Sequence, residues 1–186
     1  VAVKTGFDAL VDALATGQVD IVCAGMSATP KRAASADFSY SYLDDDISLV
    51  VRRDSPYAGA TRLEDFAGAS VIGQAATMYD DVIDQIPGVN HMTPAEAVPA
   101  VVENLANGTC DAITFSMMSV PHLLKTNPEF AEVPLEEGFE GSKMPDNAGV
   151  PKGRKAALDK VNEVIASIPE DERQALWDAC MERQPA

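Results

Sequence analysis

Apolar residues at Phe7, Leu10, Val11 and Leu14 recur at i, i+3, i+4 and i+7. That spacing predicts an amphipathic helix. Val1, Ala2 and Val3 before it read as the end of a strand, and Gly17 after it stands where helices commonly close on a left-handed residue. Residues 19–24 are mostly apolar and predict a short buried parallel strand. Thr29-Pro30-Lys31-Arg32 has the composition of a helix start, with Thr at the N-cap and Pro at the first helical position. A second apolar run, residues 47–51, is ended by Arg52-Arg53-Asp54-Ser55-Pro56.

The pattern then repeats. Residues 63–67 predict a helical turn closed by Gly68, and Val71-Ile72-Gly73 a short strand. Thr77 precedes a helix carrying Met78, Val82, Ile83 and Ile86, which Pro87-Gly88 stops. Thr93-Pro94-Ala95-Glu96 has the spacing of a capping box, predicting a helix from there to Leu105 with Pro99 in its first turn. Gly108 ends that helix and residues 111–115 form the next strand. Residues 136–147, rich in glycine and charge, read as a loop. Leu158, Val161, Ile165 and Ile168 mark a long helix, and Pro169-Glu170-Asp171-Glu172 opens the last one with acids on its positive end. Strands alternating with helices define an α/β architecture with parallel sheets.

An internal echo sharpens this picture. Leu14-Ala15-Thr16-Gly17-Gln18-Val19-Asp20 returns as Leu105-Ala106-Asn107-Gly108-Thr109-Cys110-Asp111, with Leu, Ala, Gly and Asp matching at a fixed offset of 91 residues. Either one common helix-to-strand turn is used twice, or two similar α/β lobes face each other. In open α/β sheets ligands bind beyond the carboxyl ends of the strands. Those ends here are Gly25-Met26-Ser27 and Ser116-Met117-Met118.

Charge and composition narrow the function. The chain has 186 residues, 29 Asp plus Glu against 14 Lys plus Arg, and a formal net charge of −15. A protein built to grip phosphate backbones needs a basic face, so nucleic acid is excluded as a principal partner. No apolar run approaches the roughly 20 residues that span a bilayer. The cysteines, Cys23, Cys110 and Cys180, are far apart, and no Cys/His cluster has metal-ligand spacing, so no metal is expected. They are expected to be buried small hydrophobes, with one disulfide and a free thiol as the alternative.

The segment from Ala24 to Arg32 carries the most chemistry. A strand ends, the backbone loosens at Gly25, and a helix begins near Thr29. Amides at a helix start favour an anion, Ser27 adds a hydroxyl, and Arg32 adds a planar fork able to hold a carboxylate through two hydrogen bonds. The residues alone leave two readings open: a carboxylate receptor, or an ordinary N-cap with a solvated Arg.

Phe7-Asp8-Ala9-Leu10-Val11-Asp12-Ala13-Leu14, Gly17-Gln18-Val19-Asp20-Ile21-Val22, Ala24-Gly25-Met26-Ser27-Ala28-Thr29-Pro30-Lys31-Arg32, Asp37-Phe38-Ser39 and Tyr42 together strongly resemble family 3 of the bacterial extracellular solute-binding proteins, the polar amino-acid-binding components of ABC importers. Weaker likeness runs through residues 63–68, 74–77, 105–111 and 149–153, so it covers nearly the whole chain. The resemblance implies an α/β, two-lobed periplasmic-binding-protein type II (clamshell) fold. Its crossing strands are expected near Arg53-Asp54 and Asn147-Ala148, giving lobe I from residues 1–53 plus 148–186 and lobe II from 54–147. It also implies a small-molecule ligand, an amino acid or related carboxylate, bound in an interlobe cleft. Arg32 would hold the α-carboxylate, Gly25 and Ser27 the α-amino or carboxylate groups, and Phe7 would wall the side chain, or else serve the core of the helix it opens. Gln74, Thr77 and Ser116 would line the second lobe. An ABC permease is the implied partner, no cofactor is implied, and the implied location is extracytoplasmic, periplasmic or lipid-anchored.

Three departures from the family pattern matter. A usual glycine-threonine pair is Ala76-Thr77 here, adding a methyl where backbone meets ligand. The acidic residue that pairs with the ligand ammonium is replaced by Ser116. Losing one side of a buried charge pair costs about 2–5 kcal/mol, so the ligand lacks an α-ammonium, another acid substitutes, or binding is lost. Asp44-Asp45-Asp46 is the tempting substitute, although a solvated turn is the expected setting for it. Finally, family members begin with a strand and helix preceding Val1, and no signal segment is seen. Lobe I is therefore expected to be incomplete, with an exposed edge open to self-association. A ligand-sensing clamshell of a receptor, a dehydratase-like enzyme on the same scaffold and a degenerate interaction domain are the alternatives. An enzyme is not expected, because Ser116 replaces the acid and no His lies in a cleft motif.

Overall fold

The computed structural model describes residues 5–183, so the expected strand at Val1–Val3 lies outside the described residues. The described residues divide into two compact units: 5–45 with 144–183, and Asp46–Lys143.

In the first unit, a 3-10 turn (Phe7–Ala9) leads into α1 (Leu10–Ala15). A loop and the short α2 (Pro30–Ala33) follow, then the ten-residue β1 (Ala36–Asp45). The chain returns as β7 (Met144–Pro151), antiparallel to β1 with Ala36 opposite Pro151 and Asp45 opposite Met144. The helices α6 (Lys155–Ser167) and α7 (Glu170–Glu182) close it, both packed on β1. The predicted apolar stripe forms the core: Leu14, Val22, Met26 and Ala36 are buried, with Phe7, Leu10, Val11, Val19 and Phe38 against them.

Two expectations fail in this unit. Residues 19–24 are not a parallel strand: only Val22 pairs, in an isolated antiparallel bridge to Gly149, and Ile21 is 46% exposed. One bridge gives the run no ladder, so its alternate side chains face out. Asp44 and Asp45 belong to the end of β1, where they face Pro145 and Met144, instead of to a solvated turn.

The second unit holds a five-stranded sheet in the order β4-β3-β5-β2-β6. Its strands are β2 (Ile47–Arg52), β3 (Ser70–Ile72), β4 (Asn90–His91), β5 (Ala112–Ser116) and β6 (Phe130–Glu132). The sheet is mixed, not wholly parallel as expected. β3 runs parallel to β4 and β5, while β2 is antiparallel to both β5 and β6. The helices are α3 (Met78–Asp81), α4 (Val98–Ala106) and α5 (Val120–Thr126). Val50, Ile72, Val101, Leu105, Cys110, Ile113, Val120, Leu123 and Phe130 form the core.

The expected crossings at Arg53-Asp54 and Asn147-Ala148 fall instead at Asp45/Asp46 and Lys143/Met144. The reason is hydrogen bonding: Ile47–Arg52 is laddered on both sides within the second sheet, and β7 pairs with β1 from Met144 onward. Residues 144–147, expected in a loop, are therefore strand. The capping box at Thr93 is also absent. Ala95 bridges Gln74, its amide bonds Gly73 O, and α4 starts only at Val98, with Pro99 in its first turn as expected. Among the cysteines only Cys110 is buried; Cys23 and Cys180 are exposed, and all are free thiols.

The echo at offset 91 is a duplicated helix stop. Gly17 and Gly108 have φ of +72° and +68°. Gly17 N donates to Leu14 O and Gly108 N to Leu105 O, each at 3.1 Å; Gln18 N reaches Ala13 O and Thr109 N reaches Asn104 O, each at 2.9 Å. Both are Schellman motifs, anchored by Leu14 and Leu105, which are 1% and 0% exposed.

Candidate functional site

In the first unit the loop between Val22 and Thr29 is stitched to the β1–β7 pair. Asn147 does most of this: its amide donates to Met26 O at 2.9 Å, its side-chain oxygen accepts from Ala28 N at 3.1 Å, and its side-chain nitrogen donates to Ser39 O at 3.0 Å. Gly25 has φ +61°, and its amide donates to the Tyr42 hydroxyl at 3.0 Å. The amides of residues 25 and 28 are thus committed inside the protein, contrary to the expectation of available N–H groups at this loop. Thr29 caps α2 as predicted, accepting from Arg32 N at 3.3 Å.

Arg32 is positioned by this loop. Its Nη1 donates to Ser27 O at 3.0 Å, and its guanidinium carbon lies 5.2 Å from the Phe7 ring centroid. A carbonyl and an aromatic face hold the fork in one orientation. Phe7 is half-buried, serving the core and the Arg32 stack together. Ser27 is buried at 8% exposure.

In the second unit, Gln74 and Thr77 belong to one tight turn between β3 and α3. Thr77 occupies the N-cap of α3, but its hydroxyl donates back to Gln74 O at 2.7 Å instead of capping the helix. Ala76 stands at φ +60°, the one non-glycine in the left-handed region among the described residues. An L-residue is strained there by about 1–2 kcal/mol. Replacing Ala76 by Gly is expected to raise the urea midpoint by the equivalent of about 0.5–1 kcal/mol, the strain relief less the entropy glycine loses on folding; a fall would show that the Ala methyl contributes packing.

Ser116 ends β5 and caps the following 3-10 turn, accepting from Ser119 N at 3.1 Å. It supplies no charge. Gly73 is close-packed: a Cβ there would lie 2.7 Å from Tyr79 O and 2.8 Å from Asp80 Cα and N. Thr114 reinforces this seam by donating to Tyr79 O at 2.6 Å.

His91, on β4, bridges Asp80 of α3 and Asp84 of the 3-10 turn that follows it. Nε2 meets Asp80 at 2.9 Å and Nδ1 meets Asp84 at 2.7 Å. Ionised carboxylates only accept, so both contacts require the imidazolium. Burial opposes that charge, but the hydrogen bonds and charges of Asp80 and Asp84 outweigh it and raise the His91 pKa above its ordinary value. With the folded pKa raised, the clamp stabilises fully below about pH 6.5 and is lost as pH rises through the folded value. His91→Gln is expected to lower stability by roughly 1 kcal/mol at pH 5.5, a figure limited by the exposure of Asp84, and by almost nothing at pH 8.5. Denaturant midpoints at the two pH values check it; an equal loss at both would mean that packing, not charge, matters.

Sequence reasoning missed Asn147, Tyr42 and Asp146. Asp146 is 6% exposed, and its pKa is raised to about 7 by burial and then by Asp45 and Asp44. Tyr42 is pushed up to about 12, by burial first and Asp146 second. Asn147 and Asp146 lie more than a hundred positions from the loop they serve, and only the β1–β7 register brings them to it; Tyr42, on β1, lies 17 positions from Gly25. Cys110 is pushed up to about 11, chiefly by burial, which suits an inert core thiol. Among the described residues no cluster of His, Cys, Asp or Glu is arranged to hold a metal, and no helix is long and apolar enough to cross a membrane.

An α/β chain of two units, one built on an antiparallel strand pair and one on a mixed five-stranded sheet, has the architecture of periplasmic amino-acid-binding proteins. The family description "bacterial extracellular solute-binding proteins, family 3" matches residues 1–178, and the chain belongs to that family. It is 27% identical over 169 residues to ABC transporter arginine-binding protein 1 of Escherichia coli, covering 89% of this chain and 67% of that one. It is 29% identical over 141 residues to a probable histidine-binding protein of Campylobacter jejuni, covering 75% and 54%. The chain therefore spans between about half and two thirds of these relatives' length. Among solved structures, the substrate-binding protein of an amino acid ABC transporter superposes with a TM-score of 0.84 at 29% identity, over 98% of this chain and 79% of the other. An L-arginine-bound substrate-binding protein from Streptococcus pneumoniae gives 0.85 at 20% identity, over 97% and 75%, a likeness of fold alone.

Proposed function

We propose that this protein binds a free α-amino acid, or a small carboxylate closely related to one, outside the cytoplasm and delivers it to the permease of an ABC importer. The observation that carries this reading is Arg32. Its guanidinium is held between the Ser27 carbonyl and the Phe7 ring on a loop whose backbone is braced at residues 22, 25, 26 and 28. A fork oriented before ligand arrives suits bidentate capture of a carboxylate. Family membership supports the same reading, and relatives named for arginine and histidine make those two amino acids the first to test. Phe7, Gly25, Ser27 and Arg32 are assigned to the ligand from the first unit, Gln74, Thr77 and Ser116 from the second.

Calorimetric titration with the twenty standard L-amino acids and with acetate, succinate and pyruvate tests the proposal. At least one amino acid is expected to bind with micromolar or tighter affinity. Absence of binding by every compound in the set would overturn it.

A further inference from the structure

Asp146 has no place in the assignment above, yet it is the most unusual carboxyl of the first unit. Its residue is 94% buried by area, and among the described residues its side chain has neither a hydrogen-bond donor nor a cation as partner. Both of its oxygens stand 3.8 Å from the point a Cβ on Gly25 would occupy, so the carboxyl faces the same loop that positions Arg32. The Tyr42 hydroxyl, which accepts the Gly25 amide, lies within its electrostatic reach. Asp44 and Asp45, at the end of β1, add negative charge; Asp44 accepts from the Ser41 hydroxyl at 2.7 Å and is exposed. The residue is largely buried, but its carboxyl oxygens are not sealed off and can be reached from solvent; a carboxylate so poorly solvated is stabilised by gaining a donor or a cation.

We infer that Asp146 is the partner of the ligand's α-ammonium, so that the first unit alone presents Arg32 to the carboxylate and Asp146 to the ammonium of an α-amino acid.

This inference rests on the proposed binding role and specifies its ligand class: a zwitterionic α-amino acid in preference to a simple carboxylate. It answers the question raised by Ser116, which offers only a neutral hydroxyl already engaged with Ser119. The substitute acid comes from the returning strand β7, not from the Asp44-Asp45-Asp46 run. The occupant is an organic ammonium and not a metal ion, since the acids here do not converge as metal ligands do. An ammonium brings its own donors, supplying what the buried carboxyl lacks. Its charge also favours the ionised carboxylate against the burial and the acidic neighbours that raise the Asp146 pKa.

The test compares wild type with Asp146→Asn, using the strongest amino acid of the twenty and the same compound without its α-amino group (for L-arginine, 5-guanidinopentanoate). Asp146→Asn is expected to weaken the amino acid at least tenfold and to leave the deaminated compound within twofold. Equal effects on both compounds, or none on either, would overturn the assignment while leaving the binding role intact. If wild type binds no amino acid, the binding role fails and this inference with it. A ligand-free control separates site from scaffold: at pH 8 the Asn variant is expected to melt higher, because an ionised buried carboxyl has been removed, and a lower melting temperature would show that Asp146 is structural.

Discussion

Arg32→Ala is expected to reduce amino-acid affinity by about a hundredfold to ten-thousandfold in calorimetry. A bidentate carboxylate pair comprises two charge-assisted hydrogen bonds, each contributing roughly 1.5–3 kcal/mol when shielded from water. The fold should survive. Among the described residues, Arg32 donates to Ser27 O and stacks on Phe7. Together these are worth roughly 1–2 kcal/mol at a half-exposed position. Arg32→Lys separates charge from geometry. A lysine keeps the charge but has no fork, so at least a tenfold loss is expected from it as well. Affinity unchanged in Arg32→Ala, with circular dichroism confirming a native fold, would remove Arg32 from the site.

Gly73→Ala is expected to be the most damaging single methyl in the second unit. The added carbon would meet Tyr79 O at 2.7 Å and Asp80 N at 2.8 Å, and both are backbone atoms of α3. Overpacking typically costs about 1–3 kcal/mol. Backbone cannot rotate aside as a side chain can, so the upper end of that range or more is expected here. The helix must move, and two contacts move with it: the Thr114 bond to Tyr79 O and the His91 clamp on Asp80. The turn holding Gln74 and Thr77 is the same piece of chain, so under the proposed assignment of these two residues to the ligand, affinity should fall together with stability. Gly59→Ala is the control. A Cβ there meets nothing within 4 Å, and a change within about 0.5 kcal/mol is expected. Comparable losses at both positions would show that chain entropy, not the close approach at Gly73, sets the effect.

Ligand-free stability should also depend on pH. Asp146 and His91 both have folded pKa values above their ordinary ones. Each therefore contributes stability at low pH that fades as pH rises, over about pH 4–7 for the carboxyl and above about 6.5 for the imidazole. Neutralising either group should flatten the profile in its own window.

Some of this was legible from residues alone. The stripe Phe7, Leu10, Val11, Leu14 predicts α1 and its core face because helical periodicity is a local property. The Thr29-Pro30 start and both Schellman glycines follow from short-range backbone sterics, and the structure reproduces them at Arg32 N, Gly17 and Gly108. The long ordered match from Phe7 to Tyr42 sufficed to indicate the family. Ala76 was visible as a departure, but its left-handed backbone was not.

Other features depend on partners distant in sequence. Whether residues 19–24 form a ladder depends on what lies beside them, and Gly149 offers a single bridge. Thr93-Pro94-Ala95-Glu96 has the local form of a helix start, yet the open edge after β3 takes Ala95 into a bridge with Gln74, because paired backbone groups outweigh a cap. The sense of β2 in its sheet is set by the neighbours it finds, β5 and β6, and not by its own apolar run. Asp146 and Asn147 reach the Gly25–Ala28 loop only because β7 returns antiparallel to β1. Local sterics and periodicity thus determined α1, the Thr29-Pro30 start of α2 and the helix stops at Gly17 and Gly108 from sequence. Burial, strand pairing and the ionisation of Asp146 and His91 were decided by the tertiary structure, since each is an energy shared between segments that the chain keeps apart.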